Sequence, residues 1–252
     1  MVAYTRSLKS DLMKLKRQPL LLIHLLVPLA GLGMFLAYFA YTPYAPVSKV
    51  SGYLQIIAIA FPTMIGIVCA IAADQEASAG RYQQLLAQPS RLVPLASKLT
   101  LLLILGFGSA LLAVVGFGAG FLYMLDQSAY NLAFYVKASC IIFGSSVFLY
   151  ALHIYISLRF GKGASIGLGI VESLIAALLL TGLGDHNWIY IPSAWAARFI
   201  SSWMQVELSG GGPFPAEFLI QPGILCCVGG TAAIMVLLGG WFRRWEGRTS
   251  LE

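Results

Sequence analysis

Residues 74–98 read DQEASAGRYQQLLAQPSRLVPLASK and form a polar stretch between two apolar runs. The runs, 52–73 and 99–125, are each long enough to cross the roughly 30 Å hydrocarbon core of a bilayer, which takes about 20 helical residues. Because charged side chains are costly in hydrocarbon, the stretch between the runs has to lie at the membrane surface. The chain is therefore predicted to pass repeatedly through a membrane.

The whole composition agrees with this interpretation. Of 252 residues, 59% are hydrophobic and 10% are charged, which leaves too few polar side chains to coat a soluble globule. Lipid cannot satisfy backbone N–H and C=O groups, so the spans are predicted to be helices. We predict an all-α integral membrane fold, a single transmembrane domain over residues 1–252, with six spans at 20–40, 52–73, 99–125, 136–158, 164–183 and 223–242.

The distribution of Lys and Arg predicts the orientation. With both termini in the cytoplasm, only three of the 16 Lys and Arg residues, Lys49, Lys137 and Arg198, fall outside. This bias follows the positive-inside rule and requires an even number of spans. The formal charge of +6 thus indicates orientation and attraction to anionic headgroups. It argues against a nucleic-acid surface, since the basic residues lie at span ends.

Residues 4–18 are predicted to form an amphipathic helix on the inner leaflet. Leu8, Leu12 and Leu15 recur at spacings of four and three among basic residues, which places them on one helical face. The alternative is an ordinary positive flank without fixed structure.

The cytoplasmic loop 74–98 is predicted to contain its own helix over 76–88. Tyr82, Leu85 and Leu86 cluster on one face, and Pro89 ends the run. Such a helix could dock in a groove of a soluble partner, with these apolar side chains as anchors. Alternatively, it only lies on the lipid headgroups.

The segment 184–222 on the outer side is too apolar to remain in water and too short to span. Pro192 is typical of a helix start, and Trp195, Phe199 and Trp203 follow at spacings of four. We expect this segment to dip into the outer leaflet or to cap the bundle, with its backbone shielded by protein.

Two catalytic motifs are missing from the sequence. It contains no G-x-x-x-x-G-K-[ST] and no H-E-x-x-H, so ATP hydrolysis by this chain and a zinc protease are disfavoured. The four cysteines, all in predicted spans, are interpreted as small apolar fillers and as neither a disulfide framework nor a metal site.

Glu172 lies in the middle of the fifth predicted span, where a carboxylate costs about 2.5 to 3.5 kcal/mol. It could contact a substrate, form a gate, or be a protonated carboxyl that bonds a neighbouring helix. The motifs Gly116-x-x-x-Gly120 and Gly163-x-x-x-Gly167 permit close helix approach.

These features together resemble the permease subunits of type-2 ABC exporters. The similar elements are six spans with both ends inside, a basic interfacial helix, the cytoplasmic loop, and the apolar excursion between spans five and six. Within the loop the acid Glu76, Gly80, the pair Leu85-Leu86, the turn Pro89-Ser90-Arg91 and the closing Lys98 look like the family pattern.

The resemblance implies that the loop is the helix that couples the permease to a cytoplasmic ATPase. The coupling residues would be Glu76, Gly80, Arg81, Tyr82, Leu85 and Leu86. Glu172, Trp195, Phe199 and Trp203 are the candidates for a pathway or gate. The chain itself would bind no cofactor, because ATP and Mg²⁺ would be held by two ABC ATPase subunits.

Within that family the chain is most similar to the lantibiotic self-immunity permeases of bacterial cell membranes. This implies a second permease chain, identical or sister, and an amphiphilic peptide or lipid-like substrate. Two alternatives stay open: an ATP-independent carrier or channel using Glu172, and a structural or sensory subunit that moves nothing.

Overall fold

The computed structural model describes residues 2–15, 19–88, 90–215 and 218–247, and the regular elements within these ranges are helices. Eight helices have 14 residues or more, α4 is a single turn, and two turns of 3-10 helix, Gly182–Gly184 and Trp188–Tyr190, link α7 to α8. The helices are α1 (Val2–Leu15), α2 (Pro19–Tyr41), α3 (Pro46–Ser78), α4 (Gln83–Leu86), α5 (Leu92–Tyr123), α6 (Leu132–Phe160), α7 (Lys162–Leu178), α8 (Pro192–Leu208) and α9 (Ile220–Arg244).

Five of the described helices are long and apolar enough to cross a membrane: α2, α3, α5, α6 and α9. Each coincides with one of the predicted spans. Helices α3 and α5 have 33 and 32 residues, so they extend well beyond the predicted runs. The polar connection between them is therefore shorter than the predicted loop 74–98.

The remaining predicted span, 164–183, which is the fifth in chain order, is not confirmed. Helix α7 has 17 residues, or roughly 26 Å at 1.5 Å per residue, and it ends at Leu178. Arg198 of α8 donates hydrogen bonds to the carbonyl oxygens of Leu179 and Thr181. These bonds satisfy acceptors that a longer helix would have paired internally, so the chain turns earlier than apolar length alone predicts.

Helices α3 and α6 lie at the centre of the bundle. Over half of the spanning window of each is buried, compared with less than a fifth for α2 and α9. Helix α3 packs on α7, α6 and α8, and α5 packs on α6 and α2. The Tyr53 ring of α3 stacks on Phe117 of α5 at 3.8 Å between centroids, and its hydroxyl donates to the carbonyl of Ala113.

Close approach of two backbones defines the contact between α3 and α7. A Cβ on Gly169 would lie 2.8 Å from the carbonyl oxygen of Pro62, and one on Gly66 would lie 2.8 Å from that of Ser165. The hydroxyl of Thr63, next to Pro62 inside α3, donates to the carbonyl of Gly169 at 3.1 Å. Glycine is thus required for the contact, as expected where membrane helices pack tightly.

Polar contacts gather the basic segments at one end of the bundle. Lys162 of α7 pairs with Asp74 of α3 at 3.5 Å, and Arg91 donates to the carbonyl of Trp245 at 2.8 Å. We call this the basic end; it comprises α1, the α3–α5 loop, the α6–α7 turn and the C-terminal end of α9. The far end comprises the α2–α3 turn, the α5–α6 turn and the segment between α7 and α8.

Helix α1 packs along α5, so it is part of the helical bundle. The predicted helix 4–18 is described over Val2–Leu15, and residues 16–18 lie outside the described ranges. Leu15 is buried in the core, whereas Leu12 is 48% exposed. The predicted leucine face is therefore divided between the bundle and its surroundings.

Helix α8 begins at Pro192, as predicted, and lies along the far-end half of α6. Trp195 contacts Phe148, in the middle of α6, and Trp203 stacks on Phe134, in its first turn. The backbone of α8 is thus shielded by protein, as an excursion below the surface requires. In the remainder of the predicted segment 184–222, residues 216 and 217 lie outside the described ranges.

Candidate coupling and pathway sites

The α3–α5 loop is not the single helix predicted over 76–88. Helix α3 continues to Ser78, and positive φ angles then follow at Gly80 (139°), Arg81 (50°) and Tyr82 (67°). Two consecutive non-glycine residues in the left-handed region break the helix, and only the one-turn α4 comes after them. The loop is consequently a compact turn fixed by its neighbours.

Glu76 is buried in an ion cluster beneath this loop. Its Oε1 accepts hydrogen bonds from the ammonium groups of Lys98 at 2.6 Å and Lys14 at 2.8 Å, and the residue is 1% exposed. Asp11 lies 3.7 Å from Lys98 and accepts a 2.5 Å hydrogen bond from Ser97. Since buried charges persist only when they are paired, this cluster fixes α1, α3 and α5 relative to one another.

The apolar side chains of the loop also face inward. Tyr82 is 1% and Leu85 4% exposed, and the Tyr82 ring meets Trp245 edge-on at 5.0 Å. Leu86 is half-buried and lies near Gly247. The loop thus rests on the C-terminal end of α9, and its apolar residues act inside the chain.

The outward surface of the loop is largely polar. Its exposed side chains include those of Ser78, Ala79, Arg81 and Gln83, and Gly80 lies among them. The structure describes all six predicted coupling residues, and among them Arg81 alone is exposed. A partner that docks here would meet Arg81 first, while Glu76, Tyr82 and Leu85 hold the surface in place.

Glu172 forms a buried pair with His153 between α7 and α6. Its Oε2 lies 2.7 Å from Nε2 of His153, and Nδ1 of His153 lies 2.9 Å from the hydroxyl of Ser165. That hydroxyl donates to the carbonyl of Gly66 at 3.0 Å. The chain of hydrogen bonds ties α7, α6 and α3 together, so the carboxyl is satisfied where it lies.

The three aromatic residues predicted as a gate share one face of α8. Trp195 donates from Nε1 to the carbonyl of Ile189 at 2.9 Å, and Phe199 meets Trp188 edge-on at 5.0 Å. Phe199 and Trp203 line an apolar groove of about 320 Å³ between α6, α8 and α9. Glu172 makes its contacts elsewhere, with α6, so the structure brings together three of the four predicted residues.

Reasoning from sequence missed the partners of the predicted residues. In the sequence Lys98 only closes the loop, and no pattern gives Asp11, Lys14 or His153 a partner. An acid such as Asp11 inside a basic helix is the one local signal that could have indicated an ion cluster. Arg198, assigned to the outer side, caps the end of α7 through two carbonyl oxygens.

Metal-binding geometry was not predicted, and across the described ranges no group of three His, Cys, Asp or Glu side chains is close enough to hold an ion. The cysteines, Cys69, Cys140, Cys226 and Cys227, are free thiols.

Comparison with known proteins identifies the family. A family model described as "ABC-2 family transporter protein" matches residues 7–178, which run from α1 through α7 and include the α3–α5 loop and Glu172. No curated protein matches the chain. The chain therefore belongs to the ABC-2 family of transporter proteins, as a multi-pass membrane permease and hence a transport subunit rather than the ATPase.

Proposed function

We propose that this permease is the membrane half of an ATP-driven exporter that removes a lantibiotic or a similar amphiphilic antimicrobial peptide from a bacterial cell membrane. Permeases of this family generally pair with ABC ATPase subunits. The observation that carries the coupling role is the polar surface around Arg81, held on a buried ion cluster at the basic end.

The surface around Arg81 can transmit movement to the helices because the ion cluster beneath it is rigid. Two ammonium groups on one carboxylate oxygen, Lys14 and Lys98 on Glu76, connect the loop to α1, α3 and α5. A push on Arg81 therefore displaces three helices together, which is a rigid-body movement. Gly80 supplies the turn, with φ of 139°, that presents Arg81 to the ATPase.

We further propose that α7 crosses the membrane as a sixth span, with both chain ends in the cytoplasm. Its 17 residues reach the lower limit for a spanning helix. Six crossings would place the basic end in the cytoplasm and leave Lys49, Lys137 and Arg198 outside, as the positive-inside rule favours.

A second permease chain, identical or sister, would complete the pathway. A Cβ added to Gly163 or Gly167 of α7 would meet no atom within 4 Å, so this part of α7 is open to close approach by another helix. The α8 face with Trp195, Phe199 and Trp203 would then form the outer gate, and Glu172 would lie on the moving contact of α7.

Charge reversal at the loop tests the coupling. Arg81→Glu should abolish copurification with the ATPase and substrate-stimulated ATP hydrolysis. Lys9→Glu, an equally exposed basic residue on α1, is the matched control and should retain both. Equal behaviour of the two variants would refute the coupling role of the loop.

The substrate is tested separately. Cells that express the complete complex should survive a lantibiotic concentration that kills cells with a hydrolysis-deficient ATPase. If both cell types die alike while the complex still hydrolyses ATP, the peptide assignment is wrong and the coupling role stands.

The buried Glu172–His153 pair supports one alternative function, that of a carrier driven by an ion gradient. An intramembrane carboxyl next to a histidine can exchange protons. This alternative predicts transport by the chain alone, lost in Glu172→Gln. The exporter requires ATP and the second subunit, and it tolerates that change, because glutamine can still bond His153.

Cysteine labelling tests the orientation. A single cysteine at Tyr44, which is 59% exposed in the α2–α3 turn, should react with an impermeant maleimide on intact cells. A single cysteine at Arg81 should react only after lysis. Lys49 is unsuitable because it is buried, with its ammonium donating to the carbonyl of Phe39 and to Gln127.

A further inference from the structure

A polar cavity of about 500 Å³ lies at the far end, between α3, α8 and the segment that follows α7. Its volume is in the range of pockets that bind small molecules, roughly 300 to 1,000 Å³. The polar side chains that line it come from three separate segments of the chain: Gln55, Asp185, His186, Arg198, Ser201, Ser202 and Gln205. In a chain this apolar, such a gathering is a candidate site.

The two charged side chains that the structure describes at this cavity are paired with each other. Arg198 pairs with Asp185 at 2.9 Å and gives further hydrogen bonds to the carbonyl oxygens of Leu179 and Thr181. Asp185 is therefore already paired with a cation, and Arg198 is engaged by one carboxylate and two carbonyls. A ligand here gains little from carrying net charge.

The remaining polar groups suit hydroxyl groups. Gln55 donates to the hydroxyl of Ser201 at 3.1 Å, and Ser202 and Gln205 stand nearby on the same helix. Amides and hydroxyls both donate and accept hydrogen bonds, as the hydroxyls of a sugar or polyol do. Trp188 and Phe218 add aromatic carbon to the wall.

An apolar strip leads from this cavity along α7. Ile170, Leu174 and Leu178 are exposed at successive spacings of four, which places them on one helical face. The strip ends two residues before Leu180, which lines the cavity. A molecule with a polar head and long apolar chains fits both parts at once.

We infer that the cavity binds the uncharged, polyhydroxylated headgroup of a glycosylated lipid, with its acyl chains lying along α7. The site goes beyond the proposed function, because a lipid can occupy it as a transported substrate or as a resident molecule. Binding requires neither ATP nor the ATPase.

The test uses the full chain in phosphatidylcholine nanodiscs that also contain one probe lipid. The probes are monoglucosyl diacylglycerol, phosphatidylglycerol and plain diacylglycerol with identical acyl chains. Lipid retained on the released protein is counted by native mass spectrometry. The glucosyl lipid should be retained over both others.

Two variants locate the site. Gln205→Leu combined with Ser201→Ala should weaken retention of the glucosyl lipid about tenfold or more, as expected when two hydrogen bonds are lost. Gln83→Leu, an exposed glutamine at the basic end, is the matched control and should retain it fully. Equal retention of all three probes, or equal loss in both variants, would overturn the assignment.

A further experiment distinguishes a transported lipid from a resident one. It also separates the lipid site from the proposed exporter function. With the ATPase present, a transported glucosyl lipid should stimulate ATP hydrolysis, and a resident one should bind without stimulation. Either result supports the site. If Arg81→Glu behaved like its control, the exporter proposal would fall, but the retention of the glucosyl lipid would be unaffected. Stoichiometric retention of a cationic amphiphilic peptide in place of the glucosyl lipid would overturn the headgroup assignment.

Discussion

The two ends of the bundle treat their charges differently. At the basic end Glu76 is 1% exposed and shares one oxygen between Lys14 and Lys98. At the far end the side chain of Asp185 is 57% exposed, and its pair with Arg198 borders an open polar cavity. Because attraction between charges strengthens as water is excluded, the basic end is locked and the far end is adaptable.

This difference matches the separate tasks proposed for the two ends. A surface that receives force from an ATPase has to transmit it without deforming, and a buried ion cluster beneath Arg81 provides that stiffness. A surface that meets substrates of variable shape benefits from water, hydroxyls and amides around Arg198. Helices α3 and α7 run between the two ends and, in the proposed mechanism, carry the movement.

The largest expected effect comes from removing Glu76. Glu76→Ala removes the carboxylate nearest to Lys14 and Lys98 and leaves only Asp11, at 3.8 and 3.7 Å from their ammonium groups, which should cost about 3 to 5 kcal/mol of stability. The measurement is the thermal midpoint in detergent, followed by size-exclusion chromatography.

Asp74→Ala is the matched control for this change. The pair of Asp74 with Lys162 is largely exposed, with 45% and 67% of the two side chains accessible, so its loss should cost less than about 1 kcal/mol. If Glu76→Ala and Asp74→Ala had the same thermal midpoint, the ion cluster would not be what stabilises the basic end.

A smaller effect is expected at the contact that joins the two ends. Gly169→Ala places a methyl group 2.8 Å from the carbonyl oxygen of Pro62, so α3 and α7 have to separate, at a cost of about 1 to 3 kcal/mol. Gly167→Ala has no atom within 4 Å of its Cβ and should be neutral or slightly stabilising. The same thermal assay compares the two, and equal midpoints would contradict a tight α3–α7 contact.

The smallest effect is expected at the far end. Arg198→Met leaves the carbonyl oxygens of Leu179 and Thr181 without their donor, which should cost about 1 to 2 kcal/mol, since water can partly replace it. Asp185→Asn, which removes only the exposed partner, should cost less. Thermal midpoints in detergent compare these variants with the parent chain. If Arg198→Met lowered the stability as much as Glu76→Ala does, the two ends would not differ in how strongly their charges stabilise the fold.

Much of the fold could be predicted from the sequence, because the length of an apolar run is a local property. The run 20–40 became Pro19–Tyr41, and the run 223–242 became Ile220–Arg244. Within the run 164–183 the helix ends five residues earlier than predicted, at Leu178, where Arg198, distant in sequence, donates to the carbonyl oxygens that follow.

The candidate sites could be predicted only in part, since partners lie far apart in the chain. The residues of the loop were singled out as a unit, but Tyr82 and Leu85 face Trp245 and the core. Helical periodicity identifies one face of a segment and does not say what covers it. Burial of Glu76 depends on Lys14, 62 residues away.

The sequence by itself determined the membrane class, the helical fold, five spans and the end at which basic residues gather. Those properties follow from the cost of placing polar groups in lipid, which each residue contributes locally. Only the tertiary structure decided where α7 ends, that Glu76 and Glu172 are paired with Lys98 and His153, and that a polar cavity opens beside Arg198. Such pairings depend on which helices become neighbours, and neighbours are chosen by close packing of the whole bundle.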